Sequence, residues 1–286
     1  MDDLQSTWKL SELAVFRNIE TGYSIKGNLV NNTKNETFLV PFGAIDANYQ
    51  LAYDKSLSEL CERATWLNMY KVAPKLITNT IGFAAHTLTE AAIYQSTAEQ
   101  FERQCFRTLI EILNQQRVNE VLTTFSVVQW SRGIDFLRTT KICGHLLYLV
   151  IRTLCTSKRV YFGMGKASSL AKSRLDALGE CRLVQESLEK LDVQNNIKDG
   201  IMSSGDINYF KALSESASIK KSMHILKNYE NKTTDLLKQL VSFGEDTITV
   251  DVSKYMPDFL NPLKRVVYYS FPKNRSEQYI QNFLVK

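Results

Sequence analysis

Thr87-Leu88-Thr89-Glu90-Ala91-Ala92-Ile93-Tyr94-Gln95-Ser96-Thr97-Ala98-Glu99-Gln100-Phe101-Glu102-Arg103 is the stretch on which the fold turns. Ala91, Ala98, Phe101, Cys105 and Leu109 recur at helical spacing, so one face is apolar and the sequence predicts an amphipathic helix. Thr87, with Glu90 three residues on, has the pattern of a capping box. Glu99 and Glu102 then share one side of the helix, and Arg103 joins them. The same device stands about 40 residues earlier, as Glu59-Leu60-Cys61-Glu62-Arg63. There Leu57, Leu60, Cys61, Ala64 and Leu67 form the apolar stripe of a helix over 50–70. A loop leading into a Glu-x-x-Glu-Arg helix, twice over, is a weak internal repeat.

Around these helices the pattern changes to strand. Residues 23–30 and 37–41 flank a polar cluster and predict a hairpin. Val121–Trp130, Cys143–Arg152 and Arg159–Phe162 are rich in β-branched and aromatic residues and predict strands. A third helix is predicted over 168–191, with Ala171, Leu175, Leu178 and Leu188 facing inward. Residues 206–243 predict two helices, with Phe210 to Leu226 on the first and Leu236, Leu237 and Leu240 on the second. The turn between them is placed at 228–232, and strands return at 247–250 and 266–269. Helices and strands do not alternate regularly, so the expected class is α+β, with mixed, mostly antiparallel sheets and packed helices. No linker rich in Pro, Gly or Ser interrupts 1–286, and a single domain is expected over that length.

A net charge of +5 without a run of Lys and Arg argues against a nucleic-acid partner. Lys220-Lys221 and Lys264-Arg265 are read as solvated surface. The most apolar segment, Ile142–Val150, is too short to span a bilayer, and Met1-Asp2-Asp3-Leu4 is acidic where a signal peptide is apolar. Five scattered cysteines with no Cys-x-x-Cys fit a reducing compartment, so a cytoplasmic protein is expected.

One Glu-x-x-Glu-Arg turn is usually a solvated face with a local ion pair. Two such helices facing each other would gather Glu59, Glu62, Glu99 and Glu102 into a site suited to a hard cation such as Mg²⁺. Arg63 and Arg103 could then fork onto phosphate oxygens, which suggests a metal-bound nucleotide. Other candidates are weaker. Gly163-Met164-Gly165-Lys166 hints at a phosphate loop without Walker spacing, although Lys166 could still approach a nucleotide. His86, His145 and His224 lack metal-ligand spacing, and Cys143 with His145 is a weak nucleophile pair.

Three segments in order resemble the YcaO family. Residues 77–106, from Ile77 through Ile81-Gly82-Phe83-Ala84-Ala85-His86 to Arg103, resemble the family's Ser-Asn-Gly-Leu-Ala-Ala-Gly, followed by Glu-Glu-Ala and Glu-Leu-Ile-Glu-Arg-Asp. Residues 43–63 are similar to its earlier segment, which ends Ser-Ala-Leu-x-Glu-x-x-Glu-Arg, and residues 161–186 to its third, with Gly-x-Gly before a helix carrying Glu and Gln. The core motifs thus span 40–190, with further helices and strands over 206–272. The resemblance implies a YcaO-like domain that binds ATP and Mg²⁺, with Glu59, Glu62, Glu99 and Glu102 on the metal. Arg63, Arg103, Glu180 and Gln185 would lie at the nucleotide, with Lys166 nearby.

It further implies a cyclodehydratase subunit that phosphorylates a peptide-bond oxygen to form thiazoline or oxazoline rings in a bacteriocin-like precursor peptide. Thioamide or amidine formation is an alternative, and so is a degenerate, non-catalytic subunit acting as scaffold or activator. The expected partners are the precursor peptide, a leader-binding partner protein and a flavin dehydrogenase in the same complex, with a homodimer as one expected assembly. The chain departs from the family where Gly43-Ala44-Ile45-Asp46 replaces a lysine-bearing glycine loop and Thr80-Ile81-Gly82 replaces Ser-Asn-Gly. Lys55 stands for a serine, and Asp176 for an arginine, with Arg174 close by.

Overall fold

The computed structural model describes residues 7–11, 13–18, 22–32, 37–74, 77, 81–193, 204–228, 240–243 and 247–272. Its contacts divide the chain into two compact units, one from Met1–Glu99 with Asp246–Lys286, the other Gln100–Glu245. Both mix helices with largely antiparallel sheets, as the α+β reading expects.

The first unit begins with β1 (Thr7–Leu10), β2 (Ala14–Asn18), β3 (Gly22–Asn32) and β4 (Thr37–Asp46). β3 is the central strand: β4 pairs along its whole length on one side, β1 and β2 on the other. Ile25 and Leu29 alternate inward with Val40 and Phe42 of β4, the period-2 pattern of a half-buried hairpin. Asn48 then caps α1 (Tyr49–Val72), its side chain accepting from the Leu51 amide. Leu60, Cys61, Ala64 and Leu67 seat α1 in the same core as Phe83 and Phe271.

A three-stranded sheet completes this unit: β11 (Thr247–Asp251), β12 (Val266–Pro272) and β5 (Phe83–His86), with β12 central. Helix α2 (Thr89–Asn114) begins here. Ser96 donates to the Ile93 carbonyl (3.0 Å), so its oxygen accepts from Ser270 (2.7 Å), which in turn accepts from Thr249 (2.7 Å). This hydroxyl chain satisfies polar groups inside the core and joins α2 to β12 and β11.

The second unit contains α3 (Val118–Thr124), β6 (Ser126–Trp130), β7 (Gly133–Ile142), β8 (His145–Cys155), β9 (Val160–Ala167), α4 (Leu170–Val193), α5 (Ser204–Glu215), α6 (Ala217–Lys227) and β10 (Leu240–Ser242). β7, β8 and β9 form an antiparallel meander, with β6 and the parallel β10 on the far side of β7. Cys143 (φ 49°) and Gly144 (φ 79°) make a two-residue turn between β7 and β8, where both central residues need positive φ. Between the same strands the buried Asp135 takes both prongs of Arg152 (2.7 and 2.6 Å), whose guanidinium also lies 4.8 Å from the Trp130 ring centre.

Helix α4 packs closely on β9. Gly163 and Gly165 share one face of β9 and lie against Ser173, Ala177 and Cys181. A Cβ on Gly163 would stand 2.2 Å from the Ala177 carbonyl oxygen, and one on Gly165 would stand 2.1 Å from that of Ser173. Ser173 Oγ donates to the Gly165 carbonyl (2.5 Å) across the same gap.

Several elements differ from the sequence reading. Residues 121–124 are helical, within α3, and β7 has no counterpart among the predicted strands. Its polar residues Asp135, Arg138, Thr139 and Thr140 broke the apolar pattern, yet all but Arg138 are buried and Asp135 is neutralised by Arg152. Cys143 sits in the turn rather than in a strand. Helix α4 buries Ser173, Ala177, Cys181, Val184 and Leu188, whereas Ala171 and Leu175 are exposed and Leu178 half-buried. Small residues face the glycines, and the larger leucines would not fit there. The break after α5 falls at Ser216, which caps α6 by accepting from the Ile219 amide. Leu240 belongs to a strand, while Leu236, Leu237 and residues 229–232 lie outside the described residues. At the start of α2 the Leu88 amide donates to His86 Nδ1 (3.0 Å), in place of the expected capping box. Arg265, read as solvated surface, has a side chain only 7% exposed.

The two kinds of glycine in this region separate packing from backbone propensity. Gly163→Ala is expected to cost about 1–3 kcal/mol or more through overpacking. Gly179→Ala, inside α4 with nothing within 4 Å of the added methyl, is expected to stabilise by roughly 0.5–1 kcal/mol. Urea unfolding of the two variants beside the parent checks the pair.

Candidate functional site

In the first unit, α1 carries Glu59, Glu62 and Arg63 on adjacent turns. Arg63 Nε donates to Glu59 Oε1 at 2.6 Å. Glu62 accepts at Oε1 from the Ala85 amide (2.8 Å). Among the described residues β5 is an edge strand, and its Gly82 carbonyl receives the Ser270 amide on the β12 side. Alternation along the strand therefore turns the Ala85 N–H to the open edge, where a helix carboxylate satisfies it. Glu62 is held well above the usual carboxylate range, first by burial and then by the charges of Glu59 and Glu99. The Ala85 amide and Arg63 oppose this without overcoming it. Glu99, half-buried on α2, thus belongs electrostatically to the same carboxylate group.

In the second unit the same geometry recurs with different charges. Among the described residues β9 is also an edge strand, and its Met164 amide donates to Glu180 Oε2 of α4 at 2.6 Å. Burial pushes Glu180 up to about 7, with the Glu102 charge adding and Arg103 and Lys166 opposing. Glu102 is 5% exposed and lies 3.1 Å from Lys166 Nζ and 3.5 Å from Arg103 Nε. Burial alone would favour its neutral form, but Lys166 and Arg103 outweigh it and hold the carboxyl below its ordinary value. Arg103 also reaches the Met164 sulfur (3.6 Å).

Glu59, Glu62, Arg63 and Glu99 thus form one interacting group, and Glu102, Arg103, Lys166 and Glu180 another. Glu99 and Glu102 are one helical turn apart on α2. Gln185 is placed elsewhere: its amide donates to Glu189 (2.8 Å), more than a turn beyond Glu180. Among the described residues, no three His, Cys, Asp or Glu side chains stand close enough to hold a metal ion by themselves.

The weaker candidates also find places. Gly163 and Gly165 lie within β9 against α4, so they serve close packing rather than a phosphate-cradling loop. Lys55 pairs with Asp46 (2.7 Å), Arg174 with Asp135 (3.3 Å) and Asp176 with Lys172 (2.8 Å). Cys61, Cys105 and Cys181 are buried, which pushes their thiols up to about 12, 11 and 12, so they act as small apolar residues. The sequence reading missed the two edge amides, Ala85 and Met164, because a backbone N–H carries no residue-type signal. It also missed a cavity of about 520 Å³ lined by Lys158, Arg159, Tyr161, Glu189 and Glu215. No helix among the described residues is long and apolar enough to cross a membrane.

No family model and no curated protein matches the chain. Among solved structures, the chain is similar to YcaO from Methanopyrus kandleri bound with AMPPCP and Mg2+. The two are 13% identical, and the match covers 96% of this chain and 88% of that one, with a TM-score of 0.49. At that distance the chemistry must be argued from the side chains themselves.

Glu180 gives a pH prediction with a definite sign. Its folded value, about 7, lies above the ordinary 4.5, so the folded state holds the proton more tightly. Stability from this group is therefore complete below about pH 4.5 and is lost as pH rises towards 7. Glu180→Gln retains an oxygen for the Met164 amide and removes the titration. Denaturation midpoints at pH 5 and pH 8 are expected to differ less in this variant than in the parent.

Proposed function

We propose that the chain is an ATP- and Mg²⁺-dependent YcaO-type cyclodehydratase subunit acting on a ribosomally made peptide. The observation that carries this reading is the carboxylate group around Glu62. The charges of Glu59 and Glu99 raise the cost of ionising Glu62, which is fixed in place by the Ala85 amide. A half-buried group of this kind suits a hard divalent cation, with Glu59, Glu62, Glu99 and Glu102 as the proposed oxygen donors. Among the described residues no three such side chains stand close enough to hold a metal by themselves, so in this reading only some of the four glutamates bind the ion directly, and phosphate oxygens and water fill the rest of its shell.

Mg²⁺ held by these glutamates would supply charge neutralisation at the phosphates of ATP. Arg63 and Arg103 fork onto phosphate oxygens, and Glu180, with Lys166, borders the nucleotide. A Cys, Ser or Thr side chain of the precursor adds to the preceding carbonyl. The resulting oxyanion takes the terminal phosphoryl group of ATP, releasing ADP. Departure of phosphate and loss of the amide proton then leave the azoline ring. Addition of external sulfide or an amine at the same carbon yields a thioamide or an amidine instead. The precursor, a leader-binding protein and a flavin dehydrogenase are the partners this chemistry calls for, as they are for a bacteriocin-like thiazole or oxazole product.

One observation favours a second reading, a non-catalytic subunit that scaffolds or activates such a complex. Lys166 already sits 3.1 Å from Glu102, so a protein cation balances one of the proposed metal ligands. Calorimetry with ATP and Mg²⁺, followed by phosphate release and mass analysis with precursor and partner, separates the two. The catalytic reading expects nucleotide binding that Glu99→Gln weakens by about ten- to hundredfold, with phosphate release and loss of one water per ring. Binding without phosphate release, or no binding of ATP·Mg²⁺ at all, rejects the catalytic reading and leaves the scaffold.

A further inference from the structure

The sheet face under α4 holds a charge imbalance that neither glutamate group uses. Val128 of β6 pairs in register with Asp135 of β7, and Asp135 with Arg152 of β8, so the three side chains form a row on one face. Trp130, two residues along β6 from Val128, shares that face. Asp135 is buried and accepts from Arg152 Nε and Nη2 at 2.7 and 2.6 Å. From α4, Arg174 brings Nε to 3.3 Å of the same carboxylate. Among the described residues no second acid pairs with either arginine. Two guanidiniums therefore share one carboxylate, and one positive charge is left over.

The hydrogen bonds are unbalanced in the same sense. Arg174 Nε is buried without an acceptor, because its approach to Asp135 makes an ion pair but no hydrogen bond. The Trp130 indole N–H is buried without an acceptor as well, and its ring centre lies 4.8 Å from the Arg152 guanidinium. Arg152 Nη1 and the two terminal nitrogens of Arg174 also have no acceptor among the described residues. Nearly all buried donors in native structures are paired, so orphans gathered around surplus positive charge mark the place of a missing anionic acceptor. Asp135 cannot take that place, since Arg152 already holds both of its oxygens. The Arg174 side chain is 36% exposed against 14% for Arg152, so a ligand approaches from the side of Arg174.

We propose that Arg174, Arg152 and Trp130 form a binding site for an organic carboxylate. Charge selects this class. One carboxylate supplies the single negative charge that the group lacks, whereas sulfate would bring two negative charges beside Asp135. Shape selects it too, because two carboxylate oxygens match the forked nitrogens of a guanidinium. Val128 and Leu170, both half-buried against the core under α4, offer an apolar wall to the body of the ligand. The site shares no residue with Glu59, Glu62, Glu99, Glu102 or Glu180 and does not depend on the nucleotide reading.

Nitrogen-15 NMR of the full chain tests the site, with Trp130→Phe assigning the Trp130 indole resonance. Sodium hexanoate is expected to shift that resonance saturably, with a dissociation constant of about 1–10 mM. In Arg174→Gln the binding is expected to weaken by about tenfold or more, the size of one hydrogen bond between charged groups. Sodium sulfate at equal ionic strength is expected to leave the resonance in place. A shift that does not saturate, or one that is equal in Arg174→Gln, overturns the site. An equal response to sulfate overturns its assignment to carboxylates. If Arg174→Gln does not fold, Leu170→Glu is read in its place. Its carboxylate stands four residues before Arg174 on α4, within reach of the fork, and is expected to abolish the hexanoate response by occupying the site. An undiminished response in that variant overturns the site as well.

The source of the carboxylate is read from the peptide acetyl-Ala-Ala-Leu and its C-terminal amide. Binding of the peptide acid about tenfold or more tighter than hexanoate identifies a peptide C-terminus, and similar affinity identifies a small free acid. Binding of the amide as tight as that of the acid overturns the role of the carboxylate.

Discussion

A strand at the edge of a sheet carries amide groups with no partner on the outer side, and each must find one or face water. Both candidate groups in this protein are built on that requirement. Glu62 of α1 receives the Ala85 amide from the edge of β5, and Glu180 of α4 receives the Met164 amide from the edge of β9. A glutamate can do this only if its helix packs close to the strand edge. On α4 the approach is so close that only glycine fits at 163 and 165, with Ser173, Ala177 and Cys181 opposite. Were α4 displaced by the thickness of a methyl group, Glu180 would lose its 2.6 Å bond, and a carboxyl would be left buried without its donor.

The two groups then diverge because of the charges around them. Glu62 and Glu180 both accept a backbone hydrogen bond, which favours ionisation, yet both are raised because burial outweighs one amide. Glu102 is buried as well but is lowered, since it faces Lys166 and Arg103. The first group sets three carboxylates beside Arg63, which is engaged with Glu59, whereas in the second Arg103 and Lys166 face Glu102. In the proposed reading, the raised Glu62 beside Glu59 and Glu99 is the ground for placing a metal there rather than at Glu180.

What could be read from sequence alone follows the same division. The periodicity of α1 and α2 placed Glu59, Glu62, Glu99 and Glu102 on helices, because the large residues Leu60, Leu67, Phe101 and Leu109 mark the buried faces. The hairpin of β3 and β4 and the strands β11 and β12 were equally clear from alternation. The inward face of α4 was not, because its contact surface is made of small residues and its conspicuous Leu175 points outward. β7 was hidden by a buried aspartate whose partner, Arg152, lies on the next strand. The environment of Arg265 depends on contacts with Ser58 and Asp54, some 200 residues away in sequence, and no local pattern reports such a contact.

The pairing of Lys166 with Glu102 bears most directly on whether the proposed chemistry proceeds. A carboxylate at 5% exposure stays ionised only beside a cation, and Lys166 supplies that charge at 3.1 Å. An ammonium on a flexible stem can swing to a new partner without changing the backbone, which a forked guanidinium held at two points cannot do as readily. If Glu102 ligates a metal, Lys166 becomes surplus charge at that carboxylate and is attracted to the nearest anion instead. In the proposed site that anion is a phosphate, so the same lysine can stabilise Glu102 beforehand and the transferring phosphoryl group afterwards. A fixed arginine at 166 would hold Glu102 more firmly and oppose that exchange, which makes the residue type at this position part of the argument for turnover.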